Sequence, residues 1–125
     1  MKRLGKQTLA LDGECYILGR GYLAGKKEKD GNYDFYIKEF VEDDKMKEKT
    51  FEKGERKMLE IINESAIKNA KIKTNDIDLY LGGDLLNQLV TSNYVAEKFQ
   101  VPYIGIYSAC STITAALGLG AILIE

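Results

Sequence analysis

Between Thr50 and Ala70 the side chains alternate with the period of a helix. Met58, Ile62, Ser65, Ala66 and Asn69 fall on one face, with Leu59 and Ile61 widening it, while Lys57, Glu60, Glu64 and Lys68 fall opposite. Thr50 is suited to the N-cap and Glu52 to the first turn, so the pattern predicts a helix over 50–70 that packs on a sheet. Turn-forming residues from Lys71 to Asp76 end it and lead to a short strand, Leu79-Tyr80-Leu81. Ser92 then reads as the cap of a helix over Asn93–Phe99, which breaks before Pro102. Val101 to Tyr107 is short, apolar and β-rich, the pattern of a buried strand, and Thr112 to Ile124 reads as a buried apolar helix, far too short to span a bilayer.

The first quarter of the chain is less regular. Lys6–Leu11 and Glu14–Leu18 flank Asp12-Gly13, which predicts a β-hairpin because a type I′ turn needs positive φ at its central residues. Gly19 to Gly25 reads as a structural loop, since its glycines complete neither a Walker nor a dinucleotide motif. From Lys26 to Lys49 the chain is highly charged around Tyr33, Phe35, Tyr36 and Phe40, an excursion expected to dock through its aromatics. The predicted order is thus β(β)–α–β–α–β–α, an α/β fold with a mostly parallel sheet and helices on its faces. Residues 1–125 read as one domain, with no repeat or linker to mark a second.

Charge adds an exclusion: 18 basic against 19 acidic residues leave a net −1, so no field recruits nucleic acid or an anionic membrane. Cys15 and Cys110 have no metal-ligand spacing and suggest a reducing compartment rather than a disulfide framework. No signal peptide is visible at the start. Histidine is absent, so a Cys–His nucleophilic pair cannot be assembled from this chain alone. No metal or cofactor is expected.

Two stretches carry candidate chemistry. Ser108-Ala109-Cys110-Ser111-Thr112 joins the last strand to the last helix, which puts Cys110 at an elbow beside a helix N-terminus. Such a place favours a thiolate and also attracts anions without any catalysis; a cysteine there can equally act as a small hydrophobe. Gly82-Gly83-Asp84-Leu85-Leu86-Asn87-Gln88 follows the preceding strand, and ligands of open α/β sheets bind at the carboxyl ends of strands. Asn87 and Gln88 can donate and accept, whereas Asp84 either orients its neighbours or simply caps a turn. Both stretches are predicted to meet at one sheet edge.

These same residues resemble the thiolase-like superfamily and, within it, the stage V sporulation protein AD family of spore-forming bacteria. The resemblance rests on Gly83–Gln88, Thr91–Ala96, Val101–Tyr103 and Ala109–Thr112, with Phe51–Met58 and Ala24–Glu28 upstream. It implies a layered αβαβα fold of two pseudo-equivalent halves, usually dimeric, of which this chain resembles only the N-terminal part. The histidine and the asparagine or second cysteine that activate the nucleophile of condensing enzymes belong to the other half. Ile113-Thr114-Ala115 departs from the more polar, Glu-containing segment usual in the family. The implied function is non-catalytic: binding dipicolinic acid and assisting its uptake into the developing spore, with membrane proteins of the same operon. The implied ligand-binding residues are Asn87, Gln88, Ser108, Cys110, Ser111 and Thr112, with Asp84 orienting. The implied location is peripheral, on the cytoplasmic side of the forespore or spore inner membrane. A homodimer through Val101–Tyr107 is expected, and exposure of faces meant for other layers predicts aggregation or need of a partner. The alternative is an acyl-transferring condensing enzyme (β-ketoacyl synthase or thiolase type) with Cys110 as nucleophile.

Overall fold

The computed structural model describes residues 1–84 and 89–125. Two short strands, β1 (Lys2–Leu4) and β2 (Thr8–Ala10), form an antiparallel hairpin in which Lys2 faces Ala10. The hairpin therefore turns at Gly5-Lys6-Gln7, with Gly5 at φ 67°, and not at Asp12-Gly13 as the pattern suggested. Asp12 and Gly13 instead direct their backbone N–H groups to the Glu125 carboxylate, with Asp12 N to Oε1 at 2.9 Å. Glu14–Leu18 belongs to no strand, and Tyr16, Ile17 and Leu18 lie exposed.

After a single helical turn, α1 (Lys26–Lys29), the charged excursion makes one parallel bridge between Ala24 and Phe40. Its other aromatics do not dock: Tyr33, Phe35 and Tyr36 are exposed, the last two stacked on each other at 3.9 Å between ring centres. The aromatic cluster satisfies itself rather than the body of the protein.

The main helix, α2 (Phe51–Ala70), starts where the sequence predicts. Thr50 Oγ1 accepts from the Lys53 N–H at 3.3 Å. It ends at Lys71, whose left-handed conformation (φ 58°) lets its N–H reach the last carbonyls. Its inner face accepts the extended chain at Gly21, where a β-carbon would sit 2.1 Å from the Ile62 carbonyl oxygen, so only glycine fits.

Strand β3 (Tyr80–Gly82) leads to helix α3 (Val90–Phe99), then to strand β4 (Tyr103–Gly105) and helix α4 (Thr112–Ile124). β3 and β4 pair in parallel, Tyr80 against Tyr103 and Gly82 against Gly105, with α3 as the crossover. The fold is therefore α/β. Packing is densest where α3 lies against α2, and Val95 is fully buried there beside Ala96. An ionic chain seals that contact: Glu60 accepts from Arg56 at 2.9 Å and from Lys98 at 2.8 Å. Glu60 thus faces α3 rather than open water. Burial would raise its carboxyl, but the Lys98 ammonium and the Arg56 guanidinium outweigh that and hold it below the usual range.

Two expectations of burial fail. β4 is half-buried at Tyr103 and exposed at Ile104 and Gly105, and α4 buries no residue at all. β4 pairs with β3 and touches α3, and α4 lies along β3; neither is enclosed by further elements among the described residues.

Candidate functional site

The loops that leave β3 and β4 meet. A β-carbon on Gly83 would stand 1.9 Å from the Ile106 carbonyl oxygen and 2.9 Å from the Thr112 methyl carbon. Only a glycine lets the chain after β3 press this closely on the elbow after β4. The predicted convergence of the two stretches at one sheet edge is therefore present as backbone contact.

Asp84, 4% exposed, comes directly after that contact. Its Oδ2 accepts the Thr91 N–H at 2.7 Å and its Oδ1 the Ser92 N–H at 2.9 Å, while the Ser92 hydroxyl also donates to Oδ1. Thr91 and Ser92 are the second and third residues of α3, so their N–H groups lack partners within the helix. An N-cap side chain would normally accept from them, but the N-cap here is Leu89, in a left-handed conformation with no capping bond. Asp84 does this work from seven residues upstream, and its negative charge suits the helix N-terminus. Ser92 is accordingly not the cap: α3 begins two residues before it, and its buried hydroxyl secures Asp84.

Around this carboxylate lies a polar network that sequence reasoning missed. Thr91 Oγ1 donates to Glu55 on α2 at 3.2 Å, tying the start of α3 to that helix. On the other side, the Tyr103 hydroxyl donates to the Gly82 carbonyl at 3.2 Å. Burial pushes the Tyr103 phenol above its ordinary range; the Ser92 hydroxyl opposes this and the Asp84 charge adds to it. A tyrosine inside an apolar strand was the available signal, because a buried phenol needs a partner.

The elbow itself folds back on its own hydroxyls. Ser108 Oγ and Ser111 Oγ are 2.6 Å apart, and Ser111 Oγ donates to the Ser108 carbonyl at 2.7 Å. Thr112 Oγ1 donates to the Ala109 carbonyl at 2.8 Å. Ala109–Ser111 forms one 3₁₀ turn that runs into α4. Ala109 holds φ at 45°, a left-handed conformation uncommon for a residue with a β-carbon, and the strain lies immediately before Cys110. Cys110 is exposed, which removes the reading of a buried small hydrophobe. Ser108 and Thr112 are half-buried and Ser111 is exposed. The structure thus brings Ser108, Cys110, Ser111 and Thr112 together, with Asp84 turned away toward α3. Asn87 and Gln88 lie outside the described residues.

Comparison with known proteins adds to this geometry. The family model described as "Stage V sporulation protein AD" matches residues 5–125. The chain belongs to that family. Stage V sporulation protein AD of Bacillus subtilis (strain 168) is 34% identical over 125 residues, which is 100% of this chain and 37% of that relative. The chain thus spans little more than a third of the curated relative's length, and the family it belongs to is one named for a sporulation protein. Among the described residues, no helix is long and apolar enough to cross a membrane.

Proposed function

We propose that this sporulation protein is a non-catalytic binder of dipicolinic acid, on a thiolase-like layered fold, that assists uptake of the acid into the developing spore. The observation that carries this reading is the pressing of the Gly82–Asp84 loop against an elbow that gathers Ser108, Cys110, Ser111 and Thr112 at the start of α4. Dipicolinate is a small planar dianion. The positive end of the α4 dipole favours a negative charge, and the Ser111 and Thr112 hydroxyls supply donors by turning from the backbone carbonyls they now bond. Asn87 and Gln88 add donors in this reading. Asp84 does not touch the dianion; it holds the loop. The protein acts peripherally at the cytoplasmic side of the forespore or spore inner membrane, with membrane proteins of the same operon, as a dimer through the strand region Val101–Tyr107. Titration calorimetry of dipicolinate against the Cys110→Ala chain and the Ser111→Ala/Thr112→Val chain tests the site. Retained affinity in the first and a loss of tenfold or more in the second are expected; unchanged affinity in both refutes the site.

One observation favours a second reading. An exposed cysteine directly after a strained residue is also how a nucleophile is presented. In this reading Cys110 is acylated by a thioester, with the thiol as leaving group, and a histidine from outside the chain serves as base. Acyl label from a thioester on Cys110 supports it; a folded protein that joins the chain to the remaining portion of the family fold and stays unlabelled removes it.

A further inference from the structure

At Gly19-Arg20-Gly21 the chain is pressed onto α2. A β-carbon on Gly19 would lie 2.5 Å from the Ala66 carbonyl oxygen, and one on Gly21 would lie 2.1 Å from that of Ile62. Neither position has room for a side chain. Between them, the backbone N–H of Arg20 donates to Asn69 Oδ1 at 3.0 Å. Packing and a hydrogen bond thus fix three consecutive residues to one helix and give the Arg20 side chain a firm base.

That side chain is exposed, and the one hydrogen bond of Arg20 among the described residues is the backbone one. The ion pairs of the described residues draw on the N-terminus, Lys29, Arg56, Lys57 and Lys98. Their cation–π contacts draw on Lys45, Arg56 and Lys98. Arg20 takes part in none of these, although a guanidinium carries a permanent charge and five N–H donors in a rigid fork.

The surroundings of this cation are apolar and aromatic. A groove of about 530 Å³ is lined by Arg20, Tyr22, Leu23, Ala24, Tyr36 and Ile37, with no acidic residue among them. Its two sides are tied together, since the Ala24 N–H donates to the Glu39 carbonyl at 3.1 Å and the Val41 N–H to the Ala24 carbonyl at 2.9 Å. Tyr36 is held by its stacking on Phe35 and by its N–H, which donates to the Tyr33 carbonyl at 3.0 Å. Asp34, the acid nearest Tyr36 in sequence, is engaged by the Phe35 N–H at 2.8 Å.

Size, ring surfaces and a single countercharge select the ligand. The volume lies in the range of small-molecule pockets, about 300–1,000 Å³. Tyrosine rings favour another flat ring packed against them, and the guanidinium fork matches a carboxylate in bidentate geometry. One cation balances one carboxylate, whereas a nucleotide brings two or more charges. We propose that the Arg20 groove is a binding site for a small aromatic carboxylate, whose carboxylate pairs with Arg20 and whose ring packs against Tyr22 and Tyr36. It shares no residue with the Ser108–Thr112 elbow and stands on its own observations, whether or not dipicolinate binds there.

Two-dimensional NMR of the 125-residue chain during titration with picolinate (pyridine-2-carboxylate) tests the site residue by residue. Saturable shifts are expected at the Arg20 Nε–H and at the Leu23, Ala24 and Ile37 amides, unaltered in Ser111→Ala/Thr112→Val. Arg20→Gln is expected to weaken binding at least about tenfold, as loss of a charge-assisted pair does. Tyr36→Leu, which keeps an apolar side chain but removes the ring, is expected to weaken it about threefold or more. Both replaced side chains are exposed, so neither change threatens the fold. Acetate and inorganic phosphate, which lack a ring, are expected to need concentrations at least about tenfold higher for the same shifts. Picolinate shifts that leave the groove silent, or that survive Arg20→Gln, overturn the proposal. Equal affinity for picolinate, acetate and phosphate also overturns it, because the groove would then offer a charge alone. A chain without dispersed amide signals overturns it too, since the groove is built entirely from this chain's folded residues. Signals of Cys110–Ile113, followed under dipicolinate, report the elbow separately, so failure of one site is not read as failure of the other.

Discussion

Replacing Asp84 by alanine strips the start of α3 of its acceptor. The two N–H groups of Thr91 and Ser92 and the Ser92 hydroxyl, all in buried residues, lose their partner at once. Each unsatisfied buried group costs about 1–3 kcal/mol, and loss of a helix N-cap alone about 0.5–2 kcal/mol. Rotation of the Ser92 hydroxyl and entry of water into the vacated space recover part of this, which leaves about 3–4 kcal/mol. Against a total of about 5–15 kcal/mol, the domain becomes marginal, with Tm lowered by roughly 10–15 °C. Asp84→Asn keeps one acceptor but turns an NH₂ toward donors, and is expected to lose about 2 kcal/mol. Urea unfolding at pH 7, followed by far-UV circular dichroism, measures both, and the double cycle with Ser92→Ala isolates the side-chain bond at about 1 kcal/mol of coupling. A loss below about 1 kcal/mol in Asp84→Ala would refute the view that this carboxylate caps α3.

Gly83→Ala drives a methyl group into the Ile106 carbonyl and the Thr112 side chain; a loss of about 3 kcal/mol is expected in the same urea assay, and a neutral effect contradicts the close approach. Ala109→Gly relieves the left-handed strain before Cys110 but loosens the unfolded chain, so stability should stay level or rise by up to about 1 kcal/mol, whereas Ala109→Val should lose more than that. Glu60 has a folded pKa below its unfolded value, so its contribution is present above about pH 4.3 and disappears as pH falls through the folded value. Unfolding free energy measured between pH 6 and 3 should therefore drop more steeply in the parent chain than in Glu60→Gln, and parallel curves would show that the ionic chain to Lys98 and Arg56 is not at work.

What the sequence made legible was whatever local chemistry decides. Thr50 as a cap, the helix to Ala70 and the parallel pairing of two strands through a crossover helix follow from side-chain period and turn chemistry alone. Ser92 has the residue type of a cap, while the acceptor that matters for α3 comes from Asp84, seven residues before Thr91 in sequence, which no local rule reveals. The hairpin was placed one turn too late, because Glu125, over a hundred residues away, claims the N–H groups of Asp12 and Gly13. Apolar character predicted burial for Val101–Tyr107 and Thr112–Ile124, and these segments are instead open on one side. The site was legible in part: the elbow and the meeting of two strand ends were foreseen, and the Glu55–Thr91–Asp84–Ser92 network and the Tyr103 bond to the Gly82 carbonyl were not.

The measurement that bears most directly on the dipicolinate reading is a calorimetric titration of the chain with dipicolinate, with circular dichroism showing that it is folded. The account predicts a saturable heat that persists in Cys110→Ala and falls away in Ser111→Ala/Thr112→Val. A folded chain with no saturable heat, both alone and joined to the remaining portion of the family fold, would contradict it.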